Sequence, residues 1–465
     1  MVLIKINNKI LTILLFLSIK INSSLNETIL FVFQMNRNGA RAPYYGVNNG
    51  SDLYLEKWNS NGELSNVGKR QQFLLGVKSR KKYIDNYTLL SEYYNPQEIF
   101  IKSTDDNRTI ESVYSFIQGL YPNGKGQMIS ESISTNTNII YPPNKDYIQK
   151  FETILSNYSI NNSNSALPYN MTIIPIHSFN NDDHQFQYDI NNCPGIKNII
   201  EKQNHSKIKE FAKELMEENK ELFKDLEKKY RNISQINDSF LEDYWTLYRY
   251  MDNLVCDEID QRNFSKLINE YSKYSFNLDN LKKNATKFFI DDYKSKKDGN
   301  SQNISIVDSS YTLLSILNWT DNAIKKYESN DTQQYIKYVI YSTKGSSIGT
   351  LDFFMNYYFN ATIDDIDFAE SRYFELYVEN KTYNIRYLKG DNIVKMDLEY
   401  EKFKNIVKNR TWSEQKISEF CYPIKKENKN ETKKDINMFG ASIMIILSVL
   451  DGVLIVLLIL YCIKK

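Results

Sequence analysis

The apolar, partly β-branched run Ile29-Leu30-Phe31-Val32-Phe33 is followed within a few residues by Arg37-Asn38-Gly39-Ala40-Arg41-Ala42-Pro43. An uninterrupted apolar run of this length, bounded by turn-formers, predicts a strand buried on both faces, as in a parallel sheet. The segment after it places two arginines around Gly39, with Pro43 closing the turn. Glycine lets a backbone come close to a ligand, and paired guanidinium forks suit the oxygens of a phosphate better than lysines do. Strand and loop together predict an anion site, although Arg-x-Gly-x-Arg taken alone also fits a solvated basic loop.

Both ends of the chain bear on location. Lys5 and Lys9 flank the start of an apolar stretch over residues 10–19, and Ser23 and Ser24 follow it. That pattern predicts a secretory signal peptide over residues 1–23, too short to span a bilayer. Residues 438–463 are nearly all apolar and are followed by Lys464 and Lys465. They are long enough to cross a membrane with some tilt, with lysines suited to a cytosolic end. A removed glycolipid-anchor signal is the competing reading. The expectation is a single-pass type I membrane protein of the secretory pathway, at the cell surface or in a lysosomal or vacuolar membrane. Asp451 lies midway along the apolar segment, where a carboxylate is costly unless it is protonated or faces a partner helix. A tolerated lone polar residue is the alternative.

The chain has 465 residues and a net charge of +1, so nothing in it points to nucleic acid. Between signal and anchor lie enough residues for one large core with an inserted subdomain. Sequons at Asn86, Asn170, Asn284 and Asn318 fit a glycosylated ectodomain, although asparagine is so common that many sequons must be accidental. The 35 tyrosines are read as compositional bias rather than as a stacking surface. No cofactor or metal-binding motif is read.

A helix is predicted over residues 70–83, opened by Gly62-Glu63-Leu64-Ser65-Asn66-Val67-Gly68, with Val67, Leu74 and Val77 or Lys78 on one face. Ile99-Phe100-Ile101 reads as a short strand. Ser103-Thr104-Asp105-Asp106-Asn107-Arg108-Thr109 then leads into a helix with Ile110, Val113, Ile117 and Leu120 at helical spacing and Pro122 beyond its end. Arg108 at a helix N-terminus would add its charge to unpaired N–H groups, a natural anion site. Ile208, Phe211, Leu215, Leu222, Phe223, Leu226 and Tyr230 recur at helical spacing among Lys and Glu, and residues 244–257 and 264–281 continue in that style. A third strand, Tyr338-Val339-Ile340-Tyr341, ends in Ser342-Thr343-Lys344-Gly345-Ser346-Ser347, before a helix with Ile348, Leu351, Met355 and Tyr358 spaced for burial.

Taken in order, these landmarks resemble the histidine acid phosphatases, branch 2 of the histidine phosphatase superfamily. In that family the first strand ends in Arg-His-Gly-x-Arg-x-Pro, and Asn38 stands where the family has its nucleophilic histidine. Gly62 to Gly68 resembles the Gly-Glu-Leu-Thr-x-x-Gly segment, and Arg108 matches the third phosphate-binding arginine of a Ser-x-Asp-x-x-Arg-Thr motif. The family's Tyr-Ser-x-His-Asp junction supplies a phosphate-binding histidine and a proton-donating aspartate; here the pair is Lys344-Gly345. Ile174-Pro175-Ile176-His177 and Cys193-Pro194 are similar to cap landmarks. Phe368-Ala369-Glu370-Ser371, Phe374-Glu375-Leu376-Tyr377 and Tyr383-Asn384-Ile385-Arg386-Tyr387 are similar to the closing strands.

The resemblance implies a three-layer α/β/α core with a mainly parallel sheet and an inserted α-helical cap, to which the apolar segment adds a C-terminal transmembrane helix. The implied division is core over 24–125 and 301–425, cap over 126–300, juxtamembrane linker over 426–437 and membrane helix over 438–463. It implies phosphate binding by Arg37, Arg41, Arg108 and Lys344, a disulfide between Cys193 and Cys421, and a free Cys256. None of the histidines, His177, His184 and His205, falls in a catalytic motif, and His177 is read as structural. The four cations are expected to converge with Asn38 facing them and no carboxylate among the matched motifs. Three readings follow: an impaired phosphatase binding phosphate or a phosphorylated small molecule, an adhesive or structural surface glycoprotein with a vestigial pocket, and an active acid phosphatase.

Overall fold

The computed structural model describes residues 27–44, 61–134, 164–179, 193–202, part of 210–221, most of 252–260, 300–330, 335–362 and 366–422. The apolar run lies in strand β1 (Glu27–Arg37), buried from Ile29 to Asn36. Around it are β2 (Ile99–Thr104), β3 (His177–Phe179), β4 (Tyr338–Thr343), β5 (Ser371–Glu379), β6 (Thr382–Lys389) and β7 (Asn392–Glu399). They form one sheet in the order β3-β2-β4-β1-β5-β6-β7. The half from β3 to β1 is parallel, and β5 to β7 continue it as an antiparallel meander. The helices are α1 (Asn66–Arg80), α2 (Asn107–Leu120), α3 (Pro194–Lys202), α4 (Asn300–Glu328), α5 (Gly345–Phe359), α6 (Tyr400–Arg410) and α7 (Glu414–Cys421).

Alternation along the central strands feeds two cores, because successive side chains leave opposite faces of a sheet. Phe33 and Met35 of β1 and Val339 and Tyr341 of β4 pack with residues of α4, α5 and α6. Val32 of β1 and Tyr338 and Ile340 of β4 pack instead with Val113, Phe116 and Ile117 of α2. Helices therefore cover both faces, as parallel pairing with its long crossovers requires. A register shift between Ile29 and Phe31 against β5 accompanies the break in strict alternation at Leu30. His177 lies on the edge strand, within the 126–300 range read as cap, and its ring stacks on Phe100 at 4.9 Å between centroids.

Helix α1 departs from its expected face. It begins at Asn66, where the Ser65 hydroxyl accepts from the Gly68 N–H at 3.1 Å, and continues as a π-helical turn over Lys81–Asn86. Its buried residues are Gly68, Gln72, Gly76 and Ser79, whereas Leu74 is 55% exposed. Apolar spacing misplaced the face because contact here is made by backbone. A Cβ on Gly119 of α2 would sit 2.1 Å from the Phe73 carbonyl oxygen, and one on Gly76 would sit 2.0 Å from that of Phe116.

A buried charge cluster ties the two halves of the sheet together. Glu375 of β5 accepts from the Tyr83 hydroxyl at 2.5 Å and from Arg386 Nε at 2.7 Å, and pairs with Lys82 at 2.6 Å. Arg386 also holds Glu27 of β1 through both terminal nitrogens. Burial alone would raise the Glu375 carboxyl, but Lys82 and Arg386 outweigh it and its pKa is lowered.

The chain divides into two compact units, Met1–Glu414 and Gln415–Lys465. Cys193 and Cys421 are each disulfide-bonded, and Cys256 is a free buried thiol. Outside the described residues lie the signal segment, the 426–437 linker, residues 438–463 with Asp451, His184 and His205, and most of the cap range. Among the described residues no helix is long and apolar enough to cross a membrane.

Two measurements test this packing. Gly119→Ala should cost about 1–3 kcal/mol by overpacking, whereas exposed Leu74→Ala should change stability by no more than about 0.5 kcal/mol; urea unfolding of both decides. Glu375 has a depressed folded-state pKa, so its contribution is present above the unfolded value of about 4.3 and is lost as pH falls through the folded value. Glu375→Gln should flatten that acid limb in thermal unfolding and cost about 1–3 kcal/mol near neutrality, since Lys82 loses its buried partner while Arg386 keeps Glu27.

Candidate anion site

Parallel register brings three strand ends together. Arg37, the last residue of β1, lies opposite Thr343 of β4, and Ser342 of β4 lies opposite Ser103 of β2. The loop after β1 is fixed by its backbone: the Asn38 N–H donates to the Thr343 carbonyl at 3.0 Å, and the Ala369 N–H donates to the Asn38 carbonyl at 3.0 Å. The Gly39 N–H donates to the Ser112 hydroxyl at 3.1 Å, and a Cβ on Gly39 would lie 2.4 Å from the Gly68 carbonyl oxygen. Glycine is required there because loop and α1 touch through backbone.

Four cations follow one another through shared neighbours. Arg37 stacks on the Phe368 ring at 4.1 Å and donates through Nη1 to the Ile366 carbonyl. Arg41 lies 5.5 Å from the same ring and 4.1 Å from that of Tyr44. Arg108 lies 4.8 Å from the Tyr44 ring. Lys344 joins Arg108 through Asp106, whose two oxygens lie 3.2 Å from Arg108 Nη2 and 3.0 Å from Lys344 Nζ. The Ser342 hydroxyl donates to the Thr109 carbonyl at 2.7 Å, fixing the end of β4 to the first turn of α2 beside Arg108.

Two carboxylates correct the expectation of an uncompensated cluster. Besides Asp106, Asp252 accepts from Arg41 Nη2 at 2.7 Å, from Arg41 Nη1 at 3.2 Å and from the Tyr44 N–H at 2.9 Å. Burial alone would lower the Arg41 pKa, but the Asp252 charge outweighs it and the guanidinium is held further up. Arg41 Nη1 also donates to the Ala42 carbonyl at 2.9 Å and approaches Cys256 Sγ at 3.8 Å. Both terminal nitrogens of Arg41 thus have protein partners. Arg37, Arg108 and Lys344 remain as the candidate anion-binding set.

Asn38 is buried, and its Nδ2 donates to the Gly39 carbonyl at 2.8 Å, onto its own loop. Gly345 opens α5, and a Cβ there would meet Arg37 Nε at 2.9 Å. Burial, reinforced by Asp252, pushes the Cys256 thiol well up, so it stays protonated and poorly nucleophilic despite Arg41. Asp106 lies in the Ser103–Thr109 segment, whose sequence points to Arg108 and not to the carboxylate. Tyr44 and Asp252 carried no sign of a role at the site, because their contacts depend on tertiary structure.

Loops at the C-terminal ends of parallel strands are where open α/β sheets bind their ligands, and here those loops carry the cations. The chain belongs to the histidine phosphatase superfamily (branch 2), whose model matches residues 27–389. Lysosomal acid phosphatase of Xenopus laevis is 25% identical over 80% of this chain and 71% of its own length. Lysophosphatidic acid phosphatase type 6 of Mus musculus is 40% identical over 17% of this chain; the match spans only 19% of that relative's length. Among solved structures, the phytase of Klebsiella sp. ASR1 has a TM-score of 0.52 at 10% identity, covering 83% of this chain and 97% of its own, which is a likeness of fold.

The pairing of Arg41 with Asp252 is measurable. Either Arg41→Ala or Asp252→Ala should cost about 3–5 kcal/mol by leaving a buried charge unpaired. The double variant should cost clearly less than the sum of the two in a thermal or urea double-mutant cycle.

Proposed function

We propose that this chain is a membrane-anchored histidine acid phosphatase-like protein that binds phosphate or a phosphorylated small molecule and is catalytically impaired. The observation that carries this reading is the grouping of Arg37, Arg108 and Lys344 while Asn38 and Gly345 hold the positions of the family's nucleophile and acid. A neutral amide cannot form a phosphoenzyme, and glycine has no proton to donate. Loss of a nucleophile from a concerted site costs on the order of a million-fold in turnover. Each charge-assisted hydrogen bond from an intact cation still contributes about 1.5–3 kcal/mol. With Asp106 and Asp252 counted, the four cations leave two net positive charges, which suits a phosphomonoester dianion.

The signal-like and membrane-length segments, together with the sequons, support a glycosylated ectodomain on the secretory route. One relative is named as lysosomal. A disulfide joining Cys193 to Cys421 and a partner helix facing Asp451 belong to the same proposal.

The test is hydrolysis of p-nitrophenyl phosphate at acid pH, followed by thermal unfolding in rising inorganic phosphate. The expected result is no turnover above background and a rising Tm, worth about 2.7 kcal/mol at a hundredfold excess over Kd. Robust hydrolysis lost in Arg37→Ala or Arg108→Ala would instead establish an acid phosphatase. Neither turnover nor stabilisation would leave a structural glycoprotein with a vestigial pocket. Asn38→His alone should permit at most slow phosphorylation, with Lys344→His and Gly345→Asp also needed for appreciable hydrolysis.

A further inference from the structure

Asp106 occupies the N-cap of α2 with extended backbone angles, φ −120° and ψ 133°, yet its side chain makes no capping bond. An aspartate at that position ordinarily accepts from an N–H of the first turn. Here the carboxylate is turned sideways across the gap between the loops after β2 and β4, one oxygen on Arg108 and the other on Lys344. These are two of the three cations left for an external anion once Asp252 has taken Arg41.

The two carboxylates of the site are held differently. Asp252 accepts three hydrogen bonds, two from Arg41 and one from the Tyr44 backbone, and its side chain is 8% exposed. Among the described residues Asp106 has only its two ion pairs, and its side chain and that of Lys344 are 18% and 25% exposed. Asp252 is pinned by hydrogen bonds, whereas Asp106 Oδ2 is buried 3.0 Å from Lys344 Nζ without a hydrogen bond of its own. Arg108 is itself buried, and among the described residues its Nε has no hydrogen-bond partner. A donor therefore remains for a ligand on the same guanidinium that Asp106 engages.

We propose that Asp106 is a built-in competitor for the anion: in the resting protein its carboxylate occupies Arg108 and Lys344, and a phosphoryl group must displace it to bind. Carboxylate and phosphate oxygens need the same donors, and two like charges on one pair of cations repel each other strongly when partly desolvated. The affinity of the site is then set by the exchange of one anion for another. This inference rests on the phosphate-binding reading above.

Replacing the carboxylate by an amide of the same shape separates competition from support. Purified full-length wild type and Asp106→Asn are titrated calorimetrically with inorganic phosphate, and each is unfolded thermally without it. Competition predicts binding at least about tenfold tighter in Asp106→Asn, together with a lower Tm in the absence of phosphate because a bridge between two loops is gone. Glu111→Gln, in the helix that Asp106 caps, removes the same formal charge from an exposed pair with Lys69 of α1, and its affinity should change by less than about twofold. Equal or weaker phosphate binding by Asp106→Asn, with wild type binding, would overturn the competitor role and leave the phosphate-binding reading intact. Equal tightening in Glu111→Gln would reduce the effect to long-range charge and overturn it as well. Absence of binding in both wild type and Asp106→Asn would end both proposals. If Asp106→Asn does not fold, Asp106→Ser, which retains capping ability, carries the same comparison.

Discussion

Parallel pairing of β1 with β4, and of β4 with β2, is the constraint on which the rest depends. It sets Arg37 opposite Thr343 and Ser342 opposite Ser103, so three loops from distant parts of the sequence leave the sheet side by side. Antiparallel neighbours would send alternate loops to opposite edges. The apolar burial of β1 and β4 on both faces therefore also bears on where the polar chemistry gathers, because strands buried this way need helical layers, and the crossovers that supply them keep β2, β4 and β1 parallel.

Within that frame the cations are tolerable because aromatic faces and carboxylates separate them. Phe368 lies between Arg37 and Arg41, Tyr44 between Arg41 and Arg108, and Asp106 between Arg108 and Lys344. A ring quadrupole attracts the positive group stacked on it, and a bridging carboxylate cancels part of the mutual repulsion. The same device recurs far from the strand ends, where Glu375 lies among Lys82, Tyr83 and Arg386. This fold repeatedly buries charge and repeatedly pairs it.

Much of this architecture could be read from the sequence, and the reason differs by element. The strands β1, β2 and β4 and the helix after each announce themselves through apolar runs, helical spacing and turn residues, which are local signals. Residues 70–83 failed as a guide to the buried face of α1, since Gly68, Gly76 and Gly119 pack backbone to backbone and leave Leu74 in solvent. Spacing of apolar side chains cannot report a contact made without side chains. Asp252 was unreadable for another reason: it meets Arg41 across 211 residues of chain, and only the folded protein brings them together. Asp106 was in plain view, but its significance lies in a neighbour, Lys344, delivered by a different strand.

Position 345 is coupled to its neighbours through space rather than through sequence. The room left by a missing side chain at Gly345 is filled by Arg37, whose Nε lies 2.9 Å from where a Cβ would be. Arg37 in turn rests on Phe368 and on the Ile366 carbonyl. A larger residue at position 345 would have to displace the Arg37 side chain from that seat. Gly345 and Arg37 therefore share one volume: a side chain can be gained at position 345 only if the Arg37 guanidinium gives up the place it now holds.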